Sequence, residues 1–227
     1  LRQDNQAKER KWISRTSKPS FMSRKHKATL SISLILFVII LDQLIKVWVK
    51  TNMYLGESIH ITDWFQIRFI ENNGMAFGWE LGGKYFLTSF RISSVILIGI
   101  YIYRQIKKNA PTGYIACLSL ILAGAAGNIF DCLFYGMIFN NPPYPAVAQF
   151  VEWGTGYSEL MLGRVVDMFY FPLVEWNMPQ WDWLDSIAFL PDAGEHCVFF
   201  SPIFNFADAS ISCAIIALIL FYHKYFT

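Results

Sequence analysis

Three aspartates lie at the ends of apolar runs, where a carboxylate is costly to insert. Asp208 stands in "FNFADAS" at the head of one run, and Asp131 ends "GNIFD" at the tail of another. Asp42 precedes Lys46 in "LDQLIKVWVK", within a third. Placing a charged carboxylate at the centre of a membrane span costs roughly 2.5 kcal/mol or more. Two carboxylates close together in low dielectric cannot both ionise easily, so one keeps a proton near neutral pH. Such a pair can draw a proton from water and return one to a leaving group, with no metal required. Asp167, in "GRVVDMFYFP", is a fourth acid that could reach the same place from a loop.

Two of these acids share a local pattern. Asn128 precedes Asp131 by three residues, and Asn205 precedes Asp208 by three. On a helix, i and i+3 share a face. An amide there can hold a carboxylate by hydrogen bond without adding charge.

The elements that must position these residues are membrane spans. Of the 227 residues, 54% are hydrophobic and 16% charged, and the charge is segregated. Runs 28–49, 85–103, 113–134 and 203–222 are nearly free of it, each close to the ~20 residues a helix needs to cross ~30 Å of hydrocarbon. The first run continues into "LDQLIKVWVK" without a small-residue cleavage site, unlike a signal peptide. Nine Lys or Arg precede residue 28, and Arg104, Lys107 and Lys108 separate the second and third runs, whereas 136–202 carries Arg164 alone against eight acids. This asymmetry places both termini in the cytoplasm and the first and third loops outside. Asp42, Asp131 and Asp208 then arrive at one outer depth from three helices. Residues 1–27 read as a basic cytoplasmic tail, disordered or an extension upstream of a start at Met22; residues 28–227 form the four-span domain.

Other features narrow the class. The net charge of +2 reflects cytoplasmic flanks of membrane helices, and no nucleic-acid partner is expected. The four cysteines have no metal-ligand spacing. A metal-dependent hydrolase would need His or Cys ligands near the acids, and His60 and His196 stand in no such spacing. A proton-coupled or carboxylate-lined transporter would spread its acids across the membrane depth. A non-enzymatic scaffold leaves the repeated "NxxD" unexplained. "SIHITDWFQIRFIEN" alternates apolar and polar residues as a half-buried strand does, and leads into the glycine-rich "NNGMAFGWELGG". "MFYFP" reads as an interfacial segment. Arg91 and Arg164 are the positive partners available to the acids. Asp42 and Lys46 read as an i, i+4 pair with a structural role.

Taken together, "LDQLIKVWVK", "NNGMAFG", "GNIFD", "VVDMF" and "FNFAD" resemble the prolipoprotein signal peptidase (signal peptidase II) family, in the family's order from residue 28 onward. The resemblance implies a bacterial inner-membrane aspartic endopeptidase that cuts before a diacylglyceryl-modified cysteine, without a cofactor. Carried over by motif, the catalytic pair is Asp167 and Asp208. Asn72, Asn128, Asp131 and Asn205 position substrate or support the pair, with Arg164 as an added supporting cation; Asp42 and Lys46 are structural. The implied fold is an all-α four-helix membrane bundle with a small extracytoplasmic β-cradle and an interfacial helix. The implied partners are lipid-modified prolipoproteins and membrane lipids, and the chain is taken as a monomer. Two departures stand out. Cys132 occupies the position after the "GNxxD" aspartate where the family usually has arginine. Insertions at about 137–162 and 173–202 are rich in aromatics, among them Trp153, Trp176, Trp181 and Trp183, which suit a membrane–water interface; they read as a lid or rim over the site, or as a passive elaboration.

Overall fold

Helix α1 spans Arg24–Asn52, α2 Gly83–Lys107, α3 Thr112–Phe130 and α4 Phe206–Tyr222 in the computed structural model, which describes residues 22–73, 83–180, 194–199 and 201–225. Each is long and apolar enough to cross a membrane, and the chain is a multi-pass membrane protein. The first helix starts four residues before its apolar run because Ser23 caps it, accepting from His26 N. Lys27 is used inside the fold: its Nζ donates to Asn109 Oδ1 at 2.8 Å and Ala110 O at 2.6 Å, fastening α1 to the reversal between α2 and α3. The fourth helix starts later than its run. Residues Ile203–Phe204 are drawn into a sheet, and Asn205 caps the helix that begins at Phe206.

α3 is the central helix, touching α1, α2 and α4. It closes on α4 through Gly124, whose missing side chain leaves room for the Ala207 carbonyl and for Ile211 Cγ1, which a Cβ would meet at 2.7 Å. In lipid, such small-residue crossings supply packing that the hydrophobic effect does not. Gly124→Ala is therefore expected to lower the thermal midpoint in detergent, by the equivalent of about 1–3 kcal/mol, and to reduce activity by displacing the first turn of α4. An unchanged midpoint would mean that the helices do not meet this closely. Beyond Phe130, α3 runs on through a π-helical turn, Asp131–Tyr135, and a last turn, Gly136–Ile138.

At this end of the bundle the described residues form two small antiparallel sheets. In the larger, the order is β1 (Ser58–Thr62), β2 (Phe65–Asn72), β3 (Val165–Tyr170), β6 (Ile203–Phe204); β4 (Val174–Asn177) pairs with β5 (His196–Phe199). The strand expected from alternation around 65–69 is β2. "MFYFP", expected as an interfacial segment, contributes its first three residues to β3, where a β-rich run flanked by β2 and β6 completes the sheet. No separate interfacial helix occurs among the described residues. Most of "NNGMAFGWELGG", with Trp181 and Trp183, lies outside them.

Alternation divides β3 between two faces. Val166 and Met168 join Phe69, Val49, Met53, Tyr135, Phe139 and Ala148 in a buried cluster. Asp167 points the other way. The insertion after α3 folds back on the cluster side: Phe139 bridges Phe150, and Tyr157 N and Ser158 N return to Phe139 O and Gly136 O. The described part of this insertion thus braces the back of the sheet, with Trp153 exposed and packed against Phe134.

Candidate active site

Asn205 is the hinge of the site. As the N-cap of α4 it accepts from Asp208 N at 2.9 Å, while Asp208 Oδ2 accepts from Asn205 N at 3.4 Å, a capping box that orients the Asp208 carboxylate. Its amide nitrogen donates to Asp167 Oδ1 at 2.6 Å and Asn128 Oδ1 at 3.0 Å. Asn128 in turn donates to Asp208 Oδ1 at 2.7 Å. Two carboxamides therefore link Asp167 of β3 to Asp208 of α4. Asn72 completes the cluster. It sits opposite Val165, on the face that carries Asp167, and its side chain hydrogen-bonds that carboxylate. A one-residue bulge in β2 between Ile67 and Ile70 precedes this pairing and sets its register.

Burial pushes the Asp167 carboxyl up to about 7, the neighbouring Asp208 adds to the rise, and the bonds from Asn205 and Asn72 pull against it. Asp167 is therefore poised to hold or release a proton near neutral pH.

Beneath the pair lies a buried ionic centre. Lys46 Nζ contacts Asp42 Oδ2 at 2.9 Å, Asp131 Oδ2 at 2.8 Å and Asn128 Oδ1 at 2.8 Å. Each carboxylate also grips the residue before one aspartate of the pair. Asp42 Oδ1 accepts from Ala207 N at 2.9 Å, and Asp131 Oδ2 accepts from Val166 N at 3.3 Å. Gln43, passed over in the sequence, donates to Asp131 Oδ1 at 2.8 Å and accepts from the Tyr135 hydroxyl at 3.0 Å. The available signal was a neutral amide inside an apolar run, beside an aspartate already noted.

The expected residues fall into two groups. Asp167, Asp208, Asn72, Asn128, Asn205, Asp131, Asp42 and Lys46 form one connected network. Arg164 is placed on the other face of the sheet. It pairs with Glu71 at 2.8 Å and stacks on Tyr157, and Glu71 also pairs with Lys50. Burial alone would raise the Glu71 carboxyl; Lys50 and Arg164 outweigh it and hold the group below its ordinary range. Glu71 faces away because it neighbours Asn72 on an alternating strand. Arg91 donates to Cys132 Sγ at 3.5 Å, so a guanidinium from α2 meets the position where the family pattern places its arginine. Among the described residues, no cluster of three or more His, Cys, Asp or Glu could hold a metal ion.

A polytopic bundle with two linked aspartates at its sheet end defines a class, and the comparisons identify it. The signal peptidase (SPase) II family, Peptidase_A8, matches residues 34–224. The chain belongs to this family and is a protease. It is 47% identical over 210 residues to a lipoprotein signal peptidase of Porphyromonas gingivalis, covering 90% of this chain and 88% of that protein. It is 34% identical over 192 residues to one from Amoebophilus asiaticus, covering 82% and 74%. A solved structure described as a bacterial membrane enzyme, determined by the in meso method at 1.9 Å, superposes with a TM-score of 0.52 at 25% identity, covering 84% of this chain and 90% of that one.

Proposed function

We propose that this chain is an intramembrane aspartic endopeptidase that removes signal peptides from diacylglyceryl-modified prolipoproteins, cleaving before the lipidated cysteine. The observation that carries the reading is the linkage of Asp167 and Asp208 through Asn205 and Asn128. Relatives named lipoprotein signal peptidase supply the substrate class.

In this reading Asp208, oriented by the capping box and the Asn128 amide, is the base, and Asp167 carries the shared proton. Asp208 takes a proton from a water placed between the two carboxyl groups, and the water oxygen bonds to the scissile carbonyl carbon. Asp167 gives its proton to the oxygen of that carbonyl. On collapse the carbon–nitrogen bond breaks, the hydroxyl proton returns to Asp167 and Asp208 passes its proton to the leaving amine, restoring the starting pair. The positive flanks orient the bundle with both termini in the cytoplasm of a bacterial inner membrane. The sheet end then lies at the outer surface, level with a substrate whose acyl chains remain in the bilayer. The same level suits the ionisable cluster better than a transport path, which needs acids through the full depth.

Two outcomes test this. Purified protein in detergent is expected to cleave a diacylglyceryl-modified prolipoprotein equally well with and without EDTA; failure of the folded protein to cleave, or loss of activity with chelator, would sink the aspartic reading. The pH dependence comes from Asp167. Its proton is present below about 7 and lost above, so kcat/KM should fall by about tenfold per unit on the alkaline side. The same group binds a proton more tightly folded than unfolded, so its contribution to stability should decline as pH rises from its ordinary value toward 7. An activity flat from pH 6 to pH 9 would show that Asp167 is not the proton donor.

A further inference from the structure

The amides between the two aspartates have a direction, and something must set it. A carboxamide presents an acceptor on one side and donors on the other, and nothing in its shape prevents it from turning over. Here Asn128 must point its nitrogen at Asp208, and Asn205 its nitrogen at Asp167, for either to hold the carboxyl oxygen it faces. Asn205 is fixed by its own capping role, since its oxygen is taken by Asp208 N. Asn128 sits in α3 without such a role. Its oxygen receives two donors, Asn205 Nδ2 at 3.0 Å and Lys46 Nζ at 2.8 Å. Asn205 alone does not settle the matter, because a turned Asn128 would leave Asn205 its bond to Asp167. The ammonium settles it. Lys46 can only donate, it is fully buried, and an amide nitrogen turned toward it would set two donors face to face.

We infer that Lys46 is a positioning residue for catalysis: its buried ammonium locks the Asn128 carboxamide in the orientation that donates to Asp208, and so fixes the polarity of the whole Asp167–Asn205–Asn128–Asp208 chain. The inference rests on the aspartic peptidase reading and extends the role of Lys46 beyond bundle stability. Asp42 and Asp131 serve it by holding the ammonium at the centre, at 2.9 and 2.8 Å, and by tethering Ala207 and Val166 beside the two aspartates.

The obvious variant, Lys46→Met, strands two buried carboxylates. The informative one is D42N/K46M/D131N, which removes the cation together with both anions and leaves amide oxygens to accept from Ala207 N and Val166 N. Steady-state cleavage of a diacylglyceryl-modified prolipoprotein is measured for the wild type, this neutral variant, N128A and their combination. The neutral variant is expected to lose about 100-fold in kcat, with KM within about threefold. N128A should lose a similar amount, and the combination should be no worse than N128A, because both remove one interaction. A kcat within threefold of wild type in the neutral variant, or losses that multiply in the combination, would overturn the proposal. N128D provides a test that keeps Lys46, Asp42 and Asp131 in place: a carboxylate there still accepts from Lys46 and Asn205 but offers Asp208 no donor. It should lose as much kcat as N128A, and near-normal turnover would equally overturn the inference. A wild type that folds yet cleaves nothing would instead bring down the peptidase reading, and this proposal with it.

Discussion

Asp167→Asn and Asp208→Asn are each expected to reduce cleavage of a diacylglyceryl-modified prolipoprotein by about 10³-fold or more while leaving the protein folded. The size reflects the loss of either the base or the acid of a coupled pair. Asparagine cannot take a proton from water, and it cannot give one to the carbonyl oxygen. The fold survives because both substitutions keep the acceptor their neighbours need. At 167 an amide oxygen can still receive Asn205 Nδ2, and at 208 it can still receive Asn128 Nδ2. The long contact from Asn205 N to Asp208 Oδ2, at 3.4 Å, is the weakest bond at risk. Gel-shift assays on variants with wild-type thermal midpoints make the comparison. Near-normal cleavage by either variant would remove that residue from the pair and direct attention to Asp131.

Lys46→Met should have the largest effect on stability. It leaves Asp42 and Asp131, 1% and 0% exposed, facing one another without their shared cation. Breaking one partner out of a buried ion cluster destabilises by about 3–5 kcal/mol, since the remaining charges cannot be resolvated. Adding D42N and D131N should recover most of that loss, because a neutral cluster has no stranded charge. Unfolding in detergent can be followed by the reactivity of Cys117 and Cys132, both buried. If Lys46→Met unfolds at the wild-type midpoint, Lys46, Asp42 and Asp131 do not form a desolvated ionic cluster.

The spans, the strand around Phe69 and the aspartates that meet were legible in the chain because their signals are local. Apolar run length reports a span, alternation reports a half-buried strand, and "NxxD" places an amide beside an acid. The misreadings arise where a distant partner decides. Arg164 looked available to the aspartates, yet strand alternation sends its partner Glu71 to the opposite face. The expected start of the fourth span included Ile203 and Phe204, which pairing with Tyr170 and Phe169 claims for the sheet. The π-helical turn at Asp131 had no counterpart in the sequence pattern; it shifts the register of α3 where Asp131 must meet Lys46, Gln43 and Val166 together.

Asn205 ends one element, begins another and touches both aspartates. For a chain of this kind that overlap constrains resistance. A small molecule anchored on the Asn205 carboxamide would press on a position with few viable replacements. Aspartate or serine could still cap α4, but neither offers Asp167 and Asn128 the amide donors they share. On the aspartic peptidase reading, a substitution at Asn205 that evades such a compound would also weaken turnover, and escape would have to come from the rim of the site.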